Sequence, residues 1–255
     1  MKGFTALTKS ELDALSVSGS VLSRALKAVV NAVRAGVSTK ELDLIADHEI
    51  KSAGAVPSFL GYNGYPASLC VSINDEVVHG IPKKERVLHD GDVVGLDLGA
   101  SYKGIHTDMA TTVYVGKHIF PDVLRLLTTT RNALDAALAM LRPGITTGDI
   151  GSAVQHIVES DGFSVVRELV GHGVGRSIHE EPAIPNFGSA GSGERIVEGM
   201  VLAIEPMVTE GGYAVVTDSD GWTVRTKDGT RAAHEERTVL VSRNGCRIVT
   251  PWNHG

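Results

Sequence analysis

The chain has 255 residues, 42% of them hydrophobic, and carries 24 Lys and Arg against 30 Asp and Glu, a net charge of −6. A chain of this length buries enough surface to fold without disulfides or a structural metal, and its acidic balance argues against broad binding to nucleic acid or an anionic membrane. Cys70 and Cys246 form neither a disulfide framework nor a CxxC spacing, and no apolar run reaches signal-peptide or membrane-spanning length, so a soluble protein of the reducing cytoplasm is expected.

Thr8-Lys9-Ser10-Glu11 has the form of a capping box, and apolar residues from Leu12 to Val33 follow at near-helical spacing, which predicts a helix over about 9–34. A turn at Ala35-Gly36 ends it. Ser38-Thr39-Lys40-Glu41 then caps a second helix that runs to Gly54. β-Rich runs follow at Leu69–Ile73, Asp92–Gly99 and Met109–Val115. Past Pro121 the same order returns: a helix over about 121–141, a turn at Pro143-Gly144, a helix from Thr147 to Ser160, and short strands near 163–170, 200–205, 213–217 and 236–242.

Two matches at one offset make this recurrence an internal duplication. Arg34–Leu42 aligns with Arg142–Ile150, and Gly91–Asp97 with Gly199–Glu205, both displaced by 108 residues. The repeat is too long and too few in number for a solenoid. The expectation is one unit of two α+β halves, about 8–120 and 121–250, packed about a pseudo-two-fold with their strands in one sheet and a site at the junction.

Carboxylates in apolar strands mark that site. Asp97 reads as ending its strand, Asp108 as opening the next, Glu205 as ending the strand equivalent to that of Asp97, and Glu236 as preceding Thr238–Val241. Ionised carboxylates in such surroundings need partners. His172, between Gly171 and Gly173, lets the backbone approach whatever its imidazole holds. Taken singly, each acid reads as a turn cap or surface residue; together, four carboxylates and an imidazole suit two divalent ions such as Mn, Fe or Co, and not a structural zinc. Phosphate binding is not expected: Gly171–Gly175 lacks the third fingerprint glycine, and Gly188–Gly193 reads as a mobile loop.

Three runs then carry a family resemblance: Gly61–Pro66, Ser72–Pro82 with its N-x-x-V-x-H-G-I-P pattern, and Gly171–Pro182 with H-E-E-P. With these the chain resembles the bacterial type I methionine aminopeptidases from its first helix to about residue 248. The resemblance implies the pita-bread fold, two pseudo-symmetric halves around a central antiparallel sheet. It implies two divalent ions (Co, Mn, Fe or Zn) held by Asp97, Asp108, His172, Glu205 and Glu236, with Asp108 and Glu236 shared. It also implies that Glu205 accepts the proton of the attacking water, that His179 stabilises the oxyanion, and that His79 meets the scissile nitrogen. Phe59, Tyr62, Tyr65, Cys70 and Trp222 stand where the family walls its methionine pocket.

The implied substrate is the N-terminal Met of a nascent chain whose second residue is small, cleaved by a monomer. A transient ribosome contact through Arg225, Lys227 and Arg231 is possible, although a solvated charged hairpin is the simpler reading. Phe59, Ile178 and Arg237 depart from the family pattern and bear on the pocket and on the surroundings of the last ligand. Asp97–Ala100 followed by Asp108–Thr112 is also close to the pattern of X-Pro peptidases, which keeps an X-Pro aminopeptidase or prolidase as the rival enzyme. An inactive pita-bread binding protein is the rival from another class; such proteins lose ligands, and all five are present here.

Overall fold

The computed structural model describes residues 4–252. Its first half contains helices α1 (Lys9–Ala32) and α2 (Thr39–Ser52), then strands β1 (Val56–Pro57), β2 (Leu69–Ile73), β3 (Glu76–Val78), β4 (Val93–Tyr102) and β5 (Ile105–Tyr114). The second contains α3 (Pro121–Met140) and α4 (Thr147–Ser160), followed by β6 (Ser164–Val165), β7 (Val170–Gly173), β8 (Glu180–Pro185), β9 (Val201–Ile204) and β10 (Met207–Thr209). It closes with β11 (Val215–Thr217), β12 (Val224–Thr226), β13 (Ala232–His234), β14 (Glu236–Ser242) and β15 (Gly245–Ile248).

The offset of 108 is built into local chemistry. Ser38 caps α2 with a reciprocal capping box to Glu41, and Thr146 caps α4 in the same way with Asp149. Both helices have 14 residues. The bridge between Ser38 and Val87 recurs between Thr146 and Arg195. These are two copies of one helix-entry unit.

One sheet joins the halves in the order β1-β4-β5-β14-β9-β7-β8, with β2 on β4 and β15 on β14. Every pairing in it is antiparallel. Alternation along the strands divides the faces. Leu96, Leu98 and Met109 pack into a core with α1 and α2, whereas Leu202, Ile204, Val239 and Val241 pack with α3 and α4. α2, α3, α4 and most of α1 therefore cover one side of the sheet, while Ala14 and Leu15 of α1 join a smaller cluster with Val201 and Ala203; the alternate residues of the same strands face the other side.

Three expectations are corrected. Asp97 and Asp108 neither end nor open strands: β4 and β5 are ten residues each and both acids lie inside them, because the chain reverses at Lys103-Gly104, two left-handed residues of a tight hairpin turn. The Gly188–Gly193 segment is not a free loop. The Gly191 amide donates to Asp149 Oδ1 (2.8 Å) and the Gly148 amide to the Ser192 carbonyl (3.0 Å), which ties it over the start of α4. β1, β3, β8, β10, β12, β13 and β15 lie outside the pattern expected: β8 and β15 close hairpins on β7 and β14, and the others are strands of two or three residues that pair with distant segments.

Candidate metal centre and substrate cleft

Five adjacent strands each bring one candidate ligand to the face away from the helices. Asp97 on β4 lies opposite Ala110 of β5, and Glu236 at the start of β14 lies opposite the same Ala110 from the other side. Asp108 precedes Ala110 by two residues on β5 and so shares its face. On the far side, Thr238 and His172 both oppose Ala203 of β9, and Glu205 follows Ala203 by two. The register thus aims all five side chains the same way. Ala110 and Ala203, both fully buried, leave the space between them clear.

The glycines around His172 act on neighbouring strands: a Cβ on Gly171 would lie 2.5 Å from the Ala203 carbonyl oxygen, and one on Gly173 2.3 Å from that of Glu181. They let β7 sit tightly between β9 and β8. His172 donates from Nδ1 to the Gly173 carbonyl (2.9 Å), leaving its Nε2 facing Glu205 (3.4 Å) and Asp108 (3.9 Å). A second hydrogen bond that fixes the tautomer in this way is what a ligating imidazole needs.

Ligand atoms converge in three groups: Asp97 with Asp108 and Glu236, His172 with Glu205 and Glu236, and Asp108 with His172 and His179. Their electrostatics call for cations. Burial raises the carboxyls of Asp97 and Glu205 to about 7, and it also pushes those of Asp108 and Glu236 well up, the neighbouring acids adding to it. Asp97 Oδ1 is buried without a hydrogen-bond partner. Four clustered carboxylates, an imidazole lone pair and an orphaned oxygen fit divalent ions, whose charge would remove the repulsion.

The cleft over this centre has a volume of about 470 Å³ and is lined by every residue expected of it: Phe59, Tyr62, Tyr65, Cys70, His79, His179 and Trp222, along with the five ligands. Cys70 lies opposite Asp97 in the β2–β4 ladder and therefore on the site face. Burial keeps its thiol protonated, a small polarisable wall. Trp222, in the turn between β11 and β12, meets Tyr65 edge-on at 5.0 Å. His179 shares a hydrogen bond from Nδ1 with the Tyr62 hydroxyl (2.8 Å) and packs edge-on against His172 at 4.4 Å.

His79 follows β3 with φ 61°, a left-handed conformation that costs a non-glycine residue about 1 kcal/mol or more and persists where its surroundings impose it. Burial lowers its pKa to about 4, so the imidazole is neutral at pH 7. The departures from the family pattern are also placed. Phe59 and Ile178 pack together and would both crowd a Cβ on Gly99, at 2.9 and 3.2 Å, while Arg237 points to the helix side and donates to the Ala110 and Glu236 carbonyls.

His234 escaped the reading of the sequence. It is 3% exposed, its Nε2 has no hydrogen-bond partner, and that atom lies 3.6 Å from Glu205 Oε2. Its position two residues before Glu236, on the same alternation, was the available signal. The basic trio behaves unlike a free docking surface: Arg225 binds Asp75, Glu76 and Asp218, Arg231 binds Asp122 and Glu210, and Lys227 alone is exposed.

Comparison with known proteins agrees with this geometry. The model of metallopeptidase family M24 matches residues 13–243. Methionine aminopeptidase 1 of Bacillus subtilis is 46% identical over 243 residues, which cover 95% of this chain and 97% of that protein. The crystal structure of the Thermotoga maritima methionine aminopeptidase superposes with a TM-score of 0.95 at 42% identity, over 98% of this chain and all of that one. The prolidase of Pyrococcus furiosus shares the fold, with a TM-score of 0.80 at 23% identity, and this chain covers 66% of it. The chain therefore belongs to metallopeptidase family M24, within its methionine aminopeptidases.

Proposed function

We propose that the protein is a divalent-metal aminopeptidase that removes the N-terminal Met from new polypeptides when the second residue is small. The observation that carries this reading is the registered row of Asp97, Asp108, Glu236, Glu205 and His172 beneath a cleft walled by Tyr65, Cys70 and Trp222. Two divalent ions (Co, Mn, Fe or Zn) held by those five residues would supply hydroxide at neutral pH and polarise the substrate carbonyl. Glu236 and Asp108 are the two carboxylates that each belong to two of the three groups, which supports them as the shared ligands.

The remaining steps fall to the protein's own side chains. The thioether of the first residue lies against aromatic rings and the Cys70 thiol, where a polarisable sulfur is well accommodated. Glu205, at the edge of the ligand row, accepts the proton of the attacking water. His234 Nε2 faces that carboxylate and steadies it. His179, oriented by Tyr62, stabilises the developing oxyanion, and neutral His79 meets the scissile nitrogen. We read residues 1–255 as one catalytic domain of two halves, acting as a monomer in the cytoplasm where nascent chains emerge.

A peptide panel tests the reading. Metal-stripped protein reloaded with Mn or Co is expected to cleave Met-Ala-Ser peptides far faster than Xaa-Pro peptides. Equal or inverted rates would select the X-Pro alternative, and a loaded protein without activity would select the binding protein.

A further inference from the structure

Three carboxylates from two distant segments meet on one guanidinium beside the cleft. Arg225 on β12 donates from Nε to Asp218 (2.7 Å), from Nη1 to Asp75 (2.9 Å) and from Nη2 to Glu76 (2.8 Å). Asp218 follows β11, Asp75 lies in the turn before β3, and Glu76 is the cross-strand partner of Arg225 in the β3–β12 ladder. Glu76 is only 5% exposed. Its second oxygen accepts from the Ile73 amide (2.9 Å) and from the guanidinium of Arg86, which in turn donates to the Ile81 carbonyl (2.8 Å).

His79 sits between these two anchored points, Glu76 and Ile81. The next residue is held as tightly. Gly80 donates to Ser72 Oγ (3.2 Å), and its carbonyl accepts from the Val71 amide (2.8 Å) and the Tyr65 hydroxyl (3.1 Å). A Cβ there would lie 2.2 Å from the Val71 carbonyl oxygen and 2.8 Å from Glu76 Oε2. On the other arm, Asp218 closes the turn that carries Trp222 by donating its amide to the Thr223 carbonyl (2.8 Å), while Asp220 accepts from the Trp222 amide (2.9 Å). The Trp222 ring faces His79 edge-on at 6.3 Å.

We infer that Arg225, acting through Glu76 and Asp218, is a positioning residue of the cleft: it locks the strand that delivers His79 to the hairpin that delivers Trp222. The role of the cleft rests on the aminopeptidase reading; the lock itself does not. The planar guanidinium aims three nitrogens in a fixed fork at three carboxylates, a spread that the single nitrogen of a Lys ammonium cannot reproduce. Removing it leaves the buried Glu76 carboxylate short of a partner and frees His79 to leave its left-handed conformation. None of the hydrogen bonds of Arg225 and Glu76 involves the five ligands, so metal binding does not pass through the lock.

The test uses full-length Mn-loaded protein carrying Trp252→Phe, which leaves Trp222 as the one indole. In that background Arg225→Lys and Arg225→Met are expected to lower kcat/KM on Met-Ala-Ser by about tenfold or more. Trp222 emission should shift to the red and become more accessible to iodide, while Mn affinity stays unchanged. Unchanged emission with kcat/KM within about twofold of the parent would overturn the inference, as would a loss of activity that follows a loss of Mn affinity. Asp218→Ala removes one arm of the lock at its more exposed end and serves the same test if the Arg225 variants fail to fold. A parent protein inactive on methionyl peptides, whose emission still shifts in Arg225→Lys, would refute the aminopeptidase reading and leave the lock standing.

Discussion

Asp97 and Glu236 stand on strands that do not pair, yet both lie directly opposite Ala110, one from each side. The small side chain between them is therefore as much a part of the centre as the acids. Two carboxylates separated by a methyl group leave room for a cation, and a larger residue would fill the place the ion needs. Ala110→Val is expected to keep the fold while Mn affinity falls by about tenfold or more, as read by calorimetric titration, because each added methylene in a packed site is felt. Unchanged affinity would show that the ion does not sit over Ala110.

His179 shares a group of convergent atoms with Asp108 and His172, so geometry alone does not separate ligand from substrate contact. Its Nδ1 bond to Tyr62 and its place on the cleft wall favour substrate contact. Asp108→Ala should lose both bound metal and activity, whereas His179→Ala should keep full metal content and lose turnover by about a hundredfold, the scale of one oxyanion donor. Metal analysis beside kcat checks the pair; loss of metal from His179→Ala would make it a ligand.

The buried acids and imidazoles titrate in opposite senses. Carboxyl pKa values raised by burial, to about 7 for Asp97 and Glu205, mean that the folded metal-free protein binds more protons than the unfolded chain above about pH 4. Their contribution to stability is present at low pH and is lost as pH rises through about 7. Burial lowers the pKa values of His79, His172, His179 and His234, so theirs is present above about pH 6.5 and is lost as pH falls. Between those limits the two sets oppose one another, and above about pH 6.5 only the carboxylates still act. The Tm of the metal-free protein should therefore fall from about pH 6.5 to 8, and the gap to the Mn-loaded protein should widen. Scanning calorimetry of both forms reads it, and a constant gap would contradict the raised carboxyls.

Much of this architecture is written in local sequence. Ser38-x-x-Glu41 and Thr146-x-x-Asp149 announce two helix entries, and their common offset exposes the pseudo-two-fold before any contact is known. The candidate ligands stand out because an ionised acid within an apolar strand has few other uses. Less legible were features that depend on distant partners. Asp97 and Asp108 were read as strand ends because the turn at Lys103-Gly104 lies past an apparently finished apolar run. β12 and β13 are three residues each and have meaning only against β11, β3 and β10. His234 lacks a motif of its own, and Arg225 reads as a solvated surface cation because Asp75 and Glu76, which close around it with Asp218, lie 150 and 149 residues away.

Five adjacent strands are expected to build one two-ion centre. Anomalous diffraction from crystals of the Mn-loaded protein measures it directly. Two peaks are expected, one among Asp97, Asp108 and Glu236 and the other among His172, Glu205 and Glu236. Manganese bound elsewhere, or an Asp97 carboxylate left outside the coordination of either ion, would contradict it.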